Sequence, residues 1–212
     1  MSTPIPLADF WAGLRVSQAE PELSEVAEIS RTAGGEVTVS SLGASLWRCA
    51  ISVVAERIDD GRALQARLRR VQRTGTSFLV TPVEGRMPAL DPGGTINGAA
   101  ISVGGISADR LSLSLAGLPV GYTISVGDFL SIDVGGIPHL HQVVTGGAAG
   151  VSGATPMLEL VPALRANVTT GMMVTLVNPT FKAILDPASV RQGRFARAHM
   201  SGVQFTLLQT LR

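Results

Sequence analysis

Glycine and proline decide what this chain can become. Glycine pairs at 93–94, 104–105, 135–136 and 146–147 cut its middle into apolar runs too short for helices. Glycine reaches the backbone angles that turns need, and proline fixes one angle and removes a donor, so dense use of both favours many short strands. With 24 glycines and 12 prolines in 212 residues, the pattern predicts a mainly β protein. Residues 95–180 hold short runs near 99–104, 110–116, 129–134, 140–145, 157–161 and 172–177, which predict a small antiparallel barrel or sandwich. The best-marked stretch is LPVGYTISVGDFLSI, where Pro119 and Gly121 form one turn and Val126-Gly127-Asp128 another. Asp128 can accept hydrogen bonds from the backbone of its own turn.

The flanks have a different texture. Residues 1–35 are polar and turn-rich around Phe10 and Trp11, with short strands expected in part of VSQAEPELSEVAEI. In the run 46–54, LWRCAISVV, alternation puts Trp47, Cys49, Ile51 and Val53 on one face of a strand, with Arg48 and Ser52 on the other. The next segment, IDDGRALQARLRRVQRTG, predicts a helix over 60–74. Asp59 or Asp60 would cap it, Leu64, Leu68 and Val71 fall at i, i+4 and i+7, and Gly75 stops it. The strand TSFLVTP follows. Near the other end, FKAILDPASVRQGR is a strand and a turn, and SGVQFTLLQTLR is a strand with Val203, Phe205, Leu207, Gln209 and Leu211 on one face.

That late strand is the natural partner for the first sheet. The predicted layout is one β domain from residues 1–90 with 181–212, a sandwich or barrel with a flanking helix. A small antiparallel β-barrel, residues 91–180, is inserted into it, as turns tolerate insertions. Two consecutive domains form the competing layout.

The chemistry-bearing residues are few. The formal net charge of +1 supplies no long-range field for nucleic acid. Charged residues make up 16%, below the roughly 25% of common globular domains, and neutral surface is cheap to desolvate against a partner. Cys49 is the only cysteine, so an intrachain disulfide is impossible and a buried, hydrophobe-like role is expected. The start shows no basic segment followed by an apolar stretch, and no run of about 18 uncharged apolar residues occurs. The expectation is therefore a protein without membrane contact, assembled in a cytoplasm.

His139 and His141 would share a face of a strand and could touch one metal ion, with Asp128, Asp133 or Glu159 as a third ligand. Two histidines on a solvated strand face explain the same letters, and that reading is preferred, so no metal and no cofactor are expected. His199 is expected at the surface or an interface. GISAD at 105–109 lacks the last glycine of a nucleophile elbow and fits a hairpin turn. The carboxylates of EPELSEVAE sit in a polar stretch unlike a glycosidase cleft. Phosphate-binding glycine loops are missing, and Asn167-Val168-Thr169 matches a glycosylation triplet only in letters. Arg62, Arg67, Arg69, Arg70 and Arg73 form the basic cluster, without the interleaved aromatics of a nucleic-acid site. The chain is expected not to be an enzyme.

Several stretches together resemble a group of roughly 200-residue tail proteins of phages and prophages of alphaproteobacteria, similar in role to distal tail proteins. They are PLADFWAGL, SLWRCAISV, GTSFLVTP, DPGG at 91–94, GLPVGYTISVGDFLSI, HQVVTG, ELVPALR, VTLVNP and FTLLQTLR. The resemblance implies a structural part of the tail tip, a homo-oligomer in a ring of six. Such a ring lies between the tail tube protein and the tail hub protein, with the tape measure protein as a further neighbour. DNA only passes through its channel, and a second domain projects outward. It also implies the virion tail as location, after assembly in the bacterial cytoplasm. On this view the helix arginines meet a neighbouring copy or the tube, and Glu20, Glu22, Glu25 and Glu28 would supply any repulsive channel lining. Trp47, Phe78 and Phe205 would anchor the main core, and Gly121, Gly127 and Asp128 would fix the turns of the inserted domain. The competing readings are a carbohydrate- or receptor-binding module of the virion, and another virion structural or assembly protein.

Overall fold

The computed structural model describes residues 3–25, 27–41, 43–55, 57–195 and 200–211. Its strands are β1 (Val16–Ser24), β2 (Ala27–Arg31), β3 (Val37–Ser41), β4 (Leu46–Ala55), β5 (Phe78–Val80), β6 (Ser102–Ile106), β7 (Ser112–Ala116), β8 (Thr123–Ile124), β9 (Phe129–Val134), β10 (Ile137–Val143), β11 (Gly147–Ala148), β12 (Leu158–Val161), β13 (Val174–Thr175), β14 (Phe181–Leu185), β15 (Arg191–Phe195) and β16 (Met200–Gln209). Among the described residues α1 (Ile58–Val71) is the only α-helix. The protein is mainly β, with antiparallel sheets and one flanking helix.

β4 shows why the first sheet forms where it does. Trp47, Ile51, Val53 and Ala55 are buried, while Arg48, Ala50 and Val54 are exposed, the period-2 burial of a strand with one covered face. Its neighbours are β1 and β16, and the sheet runs β1-β4-β16-β14-β5 with β15 alongside β16. The register opposes Ile51 to Phe205 and Cys49 to Leu207, so both strands send their apolar side chains to one face. Phe10 closes over that face, its ring centroid 4.7 Å from Phe78 and 6.4 Å from Phe205.

α1 lays Leu64, Leu68 and Val71 on the same core. It starts at Ile58 rather than 60, and neither Asp59 nor Asp60 caps it. Both stand in the first turn, where the positive end of the helix dipole favours carboxylates. The helix ends at Val71 rather than 74, because the chain tightens at Gln72 and Arg73 before Gly75 turns it with a positive φ of 80°. β2 and β3 form a separate two-stranded ribbon, and every described residue from 27 to 40 is exposed.

The second sheet runs β13-β9-β10-β12-β7-β6. The stretch just before β13 reaches β6: Val103 N–H donates to Met172 O at 2.9 Å and Gly171 N–H to Val103 O at 2.8 Å. Leu113, Leu115, Ile124, Leu130, Ile132 and Leu158 fill the space it encloses. Two apolar clusters result. One draws on residues 5–80 and 181–207 together with Phe129 and Leu140, the other on residues 96–177.

Asp91 and Asp128 fasten the segment that leads into the second sheet. Asp128 Oδ1 accepts Ala89 N–H and Oδ2 accepts Ser125 N–H, both at 2.8 Å. Asp91 accepts Thr95 N–H at 2.9 Å and the Tyr122 hydroxyl at 3.2 Å, and the Thr95 contact leads the effects that hold its carboxyl below the ordinary range. Asp128→Ala strands two backbone donors. It should cost about 1–3 kcal/mol, seen as a lower urea midpoint with an unchanged slope.

Candidate functional site

The face where the two clusters meet is organised around Trp47. Its indole N–H donates to Leu140 O at 3.0 Å, its backbone N–H donates to Gln209 Oε1 at 3.1 Å, and its ring stands 5.6 Å from that of Phe129. One side chain on β4 thus touches β9 and β10, while its backbone binds β16. Beside it lies a cleft of about 770 Å³, lined by residues that include Leu46, Arg48, His139, Arg165 and Leu211. An adjoining space of about 310 Å³ shares His139 and Arg165 and adds His141 and Pro162.

The two histidines are not on a solvated face. Pairing sets His139 opposite Ile132 and His141 opposite Leu130, so both imidazoles share the side of β10 that carries the second core, and they are only 3% and 2% exposed. His141 Nδ1 lies 2.8 Å from Pro162 O, a contact that requires the proton on Nδ1. Its Nε2 is left as a buried lone pair, and this atom and His139 Nδ1 find no hydrogen-bond partner among the described residues. Burial pushes His141 down to about 4 against the opposing effect of the Pro162 contact. Burial, then the charge of Arg165, lowers His139. Both rings are neutral at pH 7 and can accept a donor.

Among the described residues no group of three His, Cys, Asp or Glu could hold a metal ion. The carboxylates considered as third ligands have other contacts. Asp128 holds the two backbone donors above, Asp133 accepts Gly136 N–H at 2.7 Å, and Glu159 accepts the Thr145 hydroxyl at 3.2 Å. Cys49 is half-buried, and burial pushes its thiol up to about 12, far from a thiolate at neutral pH.

The other singled-out residues fall in separate places. Trp47, Phe78 and Phe205 lie in the first core. Gly121 and Gly127 hold positive φ of 76° and 90°, the left-handed region that their turns demand. GISAD forms the turn between β6 and β7, where the Ser107 hydroxyl donates to Asp109. Arg62, Arg67, Arg69 and Arg70 on α1 and Arg73 just beyond it are all exposed. The guanidinium of Arg67 lies against Gly13, where a Cβ would collide with it. Arg62 meets Asp59 at 3.8 Å, both side chains largely in solvent, which makes a weak pair. His199 lies outside the described residues. Arg110 emerges only from the structure: it donates to Ala166 O at 2.7 Å and Val168 O at 3.0 Å, pinning one rim of the cleft.

Neither a protein-family model nor a curated protein sequence matches this chain.

The buried imidazole gives stability a pH dependence of known sign. The ordinary histidine value is 6.5 and the folded value about 4, so between them the unfolded chain binds a proton that the folded one refuses. The stabilisation is whole above about pH 6.5 and falls by about 3 kcal/mol as pH drops to 4. His141→Asn, which can keep the Pro162 contact, should flatten the fall in denaturation midpoint between pH 6.5 and 4.5 relative to the parent.

Proposed function

We propose that this chain is a structural component of a bacteriophage tail tip, a distal-tail or baseplate-hub ring protein that joins the tail tube to the host-recognition apparatus. The observation that carries the reading is the first sheet. It is assembled from both flanks of the chain, carries α1 on its core side, and adjoins a two-stranded ribbon whose residues from 27 to 40 are all exposed. Such a subunit offers sheet edges and an exposed ribbon to neighbours, as an assembling protein does.

The division we propose places residues 1–90 with 181–212 in the ring-forming part and 91–180 in an inserted small β-barrel. It is supported by the two apolar clusters, bridged by Phe129 and Leu140, and by the hydrogen bonds between β6 and the stretch before β13. The partners are further copies of the chain in a ring of six, the tube and hub proteins, and the tape measure protein, with DNA passing through the channel. A sugar-binding role for the second part has less support, since the Tyr122 hydroxyl is already tied to Asp91.

The test is the absolute mass of the purified protein by light scattering over a concentration series. A discrete hexamer is the expected result, and a chain that stays monomeric at every concentration speaks against the ring.

A further inference from the structure

The ribbon formed by β2 and β3 is the least explained part of the molecule. Pairing of Ile29 with Val39 and of Arg31 with Val37 gathers Ile29, Val37 and Val39, with Arg31 at their edge, on one face, where the three apolar residues are 63%, 56% and 62% exposed. The other face carries Glu28, Ser30, Thr38 and Ser40. A lone two-stranded ribbon is marginal in water, and an exposed apolar face makes it more so. Something covers it.

Charge says what. From residue 16 to 36 the chain carries Glu20, Glu22, Glu25, Glu28 and Glu36 against Arg31. From 57 to 73 it carries six arginines against Asp59 and Asp60. Arg62, Arg69 and Arg70 stand on the side of α1 turned away from Leu64, Leu68 and Val71, Arg73 follows just after the helix, and all four are exposed. Beside the start of the helix, Val54 and Ile58 are exposed apolar residues. Val54 also lines a cleft of about 220 Å³, together with Leu14, Ala63, Arg67 and Asp60. The ribbon and its base carry Glu25, Glu28 and Glu36 against Arg31, and α1 carries exposed arginines above an apolar foot, so the two surfaces are opposite in charge.

Neither surface is covered within the described chain: residues 27–40 and Arg62, Arg69 and Arg70 are all exposed. The ribbon springs from the end of the β1–β4 ladder where Ser24 pairs Leu46, and α1 begins beyond the other end of β4 at Ala55. We infer that the β2–β3 ribbon of one copy docks on the arginine-bearing side of α1 and its apolar foot in the next copy. Donor and acceptor surfaces at opposite ends of one ladder make the contact head-to-tail, the kind that closes into a ring when the rotation allows. The inference rests on the ring reading and names its contact.

Charge reversal tests it. Glu25→Arg/Glu28→Arg/Glu36→Arg and Arg62→Glu/Arg69→Glu/Arg70→Glu each change exposed side chains, and circular dichroism checks that each variant is folded. Each set alone should reduce the mass in light scattering from hexamer to monomer. The chain with all six reversals, and an equimolar mixture of the two triple variants, should both regain the oligomer, because reversed ribbon then meets reversed helix. A parent oligomer indifferent to both triple sets overturns this contact and leaves the ring standing. Loss of assembly that the six reversals fail to rescue also overturns it. A parent that never assembles removes the ring and this contact together.

Discussion

The pairing of β16 with β4 is the contact on which the rest depends. β4 lies between β1 and β16, and β16 in turn holds β14 and β15 along its other side. Ile51 opposite Phe205 and Cys49 opposite Leu207 align two apolar rows over Phe10 and α1. A slip of one residue would turn those rows outward together, so this register fixes which side of the sheet is core. The outward side, with Arg48, Ala50 and Gln204, keeps its solvent contact.

Trp47 converts that sheet into a foundation for the second one. Its indole N–H reaches a backbone carbonyl of β10, and its ring meets Phe129 at the start of β9. The bond is directional and the ring contact is broad, so the two together restrict both approach and rotation. The polar groups nearby are settled locally: Gln209 serves the backbone of Trp47, and His141 serves Pro162. His141 Nε2 is a buried lone pair and His139 Nδ1 is buried without a partner among the described residues, beside a cleft whose rim carries Arg48 and Arg165.

Much of this was legible in the letters where periodicity and turn chemistry agree. Leu64, Leu68 and Val71 announce the buried side of α1, and alternation from Val203 to Leu207 announces that of β16. The turn carboxylate of Asp128 was equally visible, though its second bond, to Ala89, was not. The histidines show where such reasoning stops. Spacing of two puts them on one face, but only the register with Leu130 and Ile132 says that the face is inward. Asp59 and Asp60 fit a cap and a first turn alike, because both places favour a carboxylate. The partner of Trp47 is a main-chain oxygen, which no letter encodes. The segment 37–41 alternates as a strand should, yet no apolar face is buried with it, so the short run carried no weight.

The split first core also sets an order of events in time. Trp47 and its partner Gln209 are separated by 162 residues, and nearly all of the second cluster lies between them. On a ribosome the residues of 96–177 are complete while β4 still waits for its second neighbour. Closing so long a separation is slow, and an open sheet edge is exposed to strangers until it happens. The β1–β4 ladder can form early and shields only one side of β4. The other side is held open for a strand made only after the whole second cluster, so the principal sheet stays unfinished while that cluster is built.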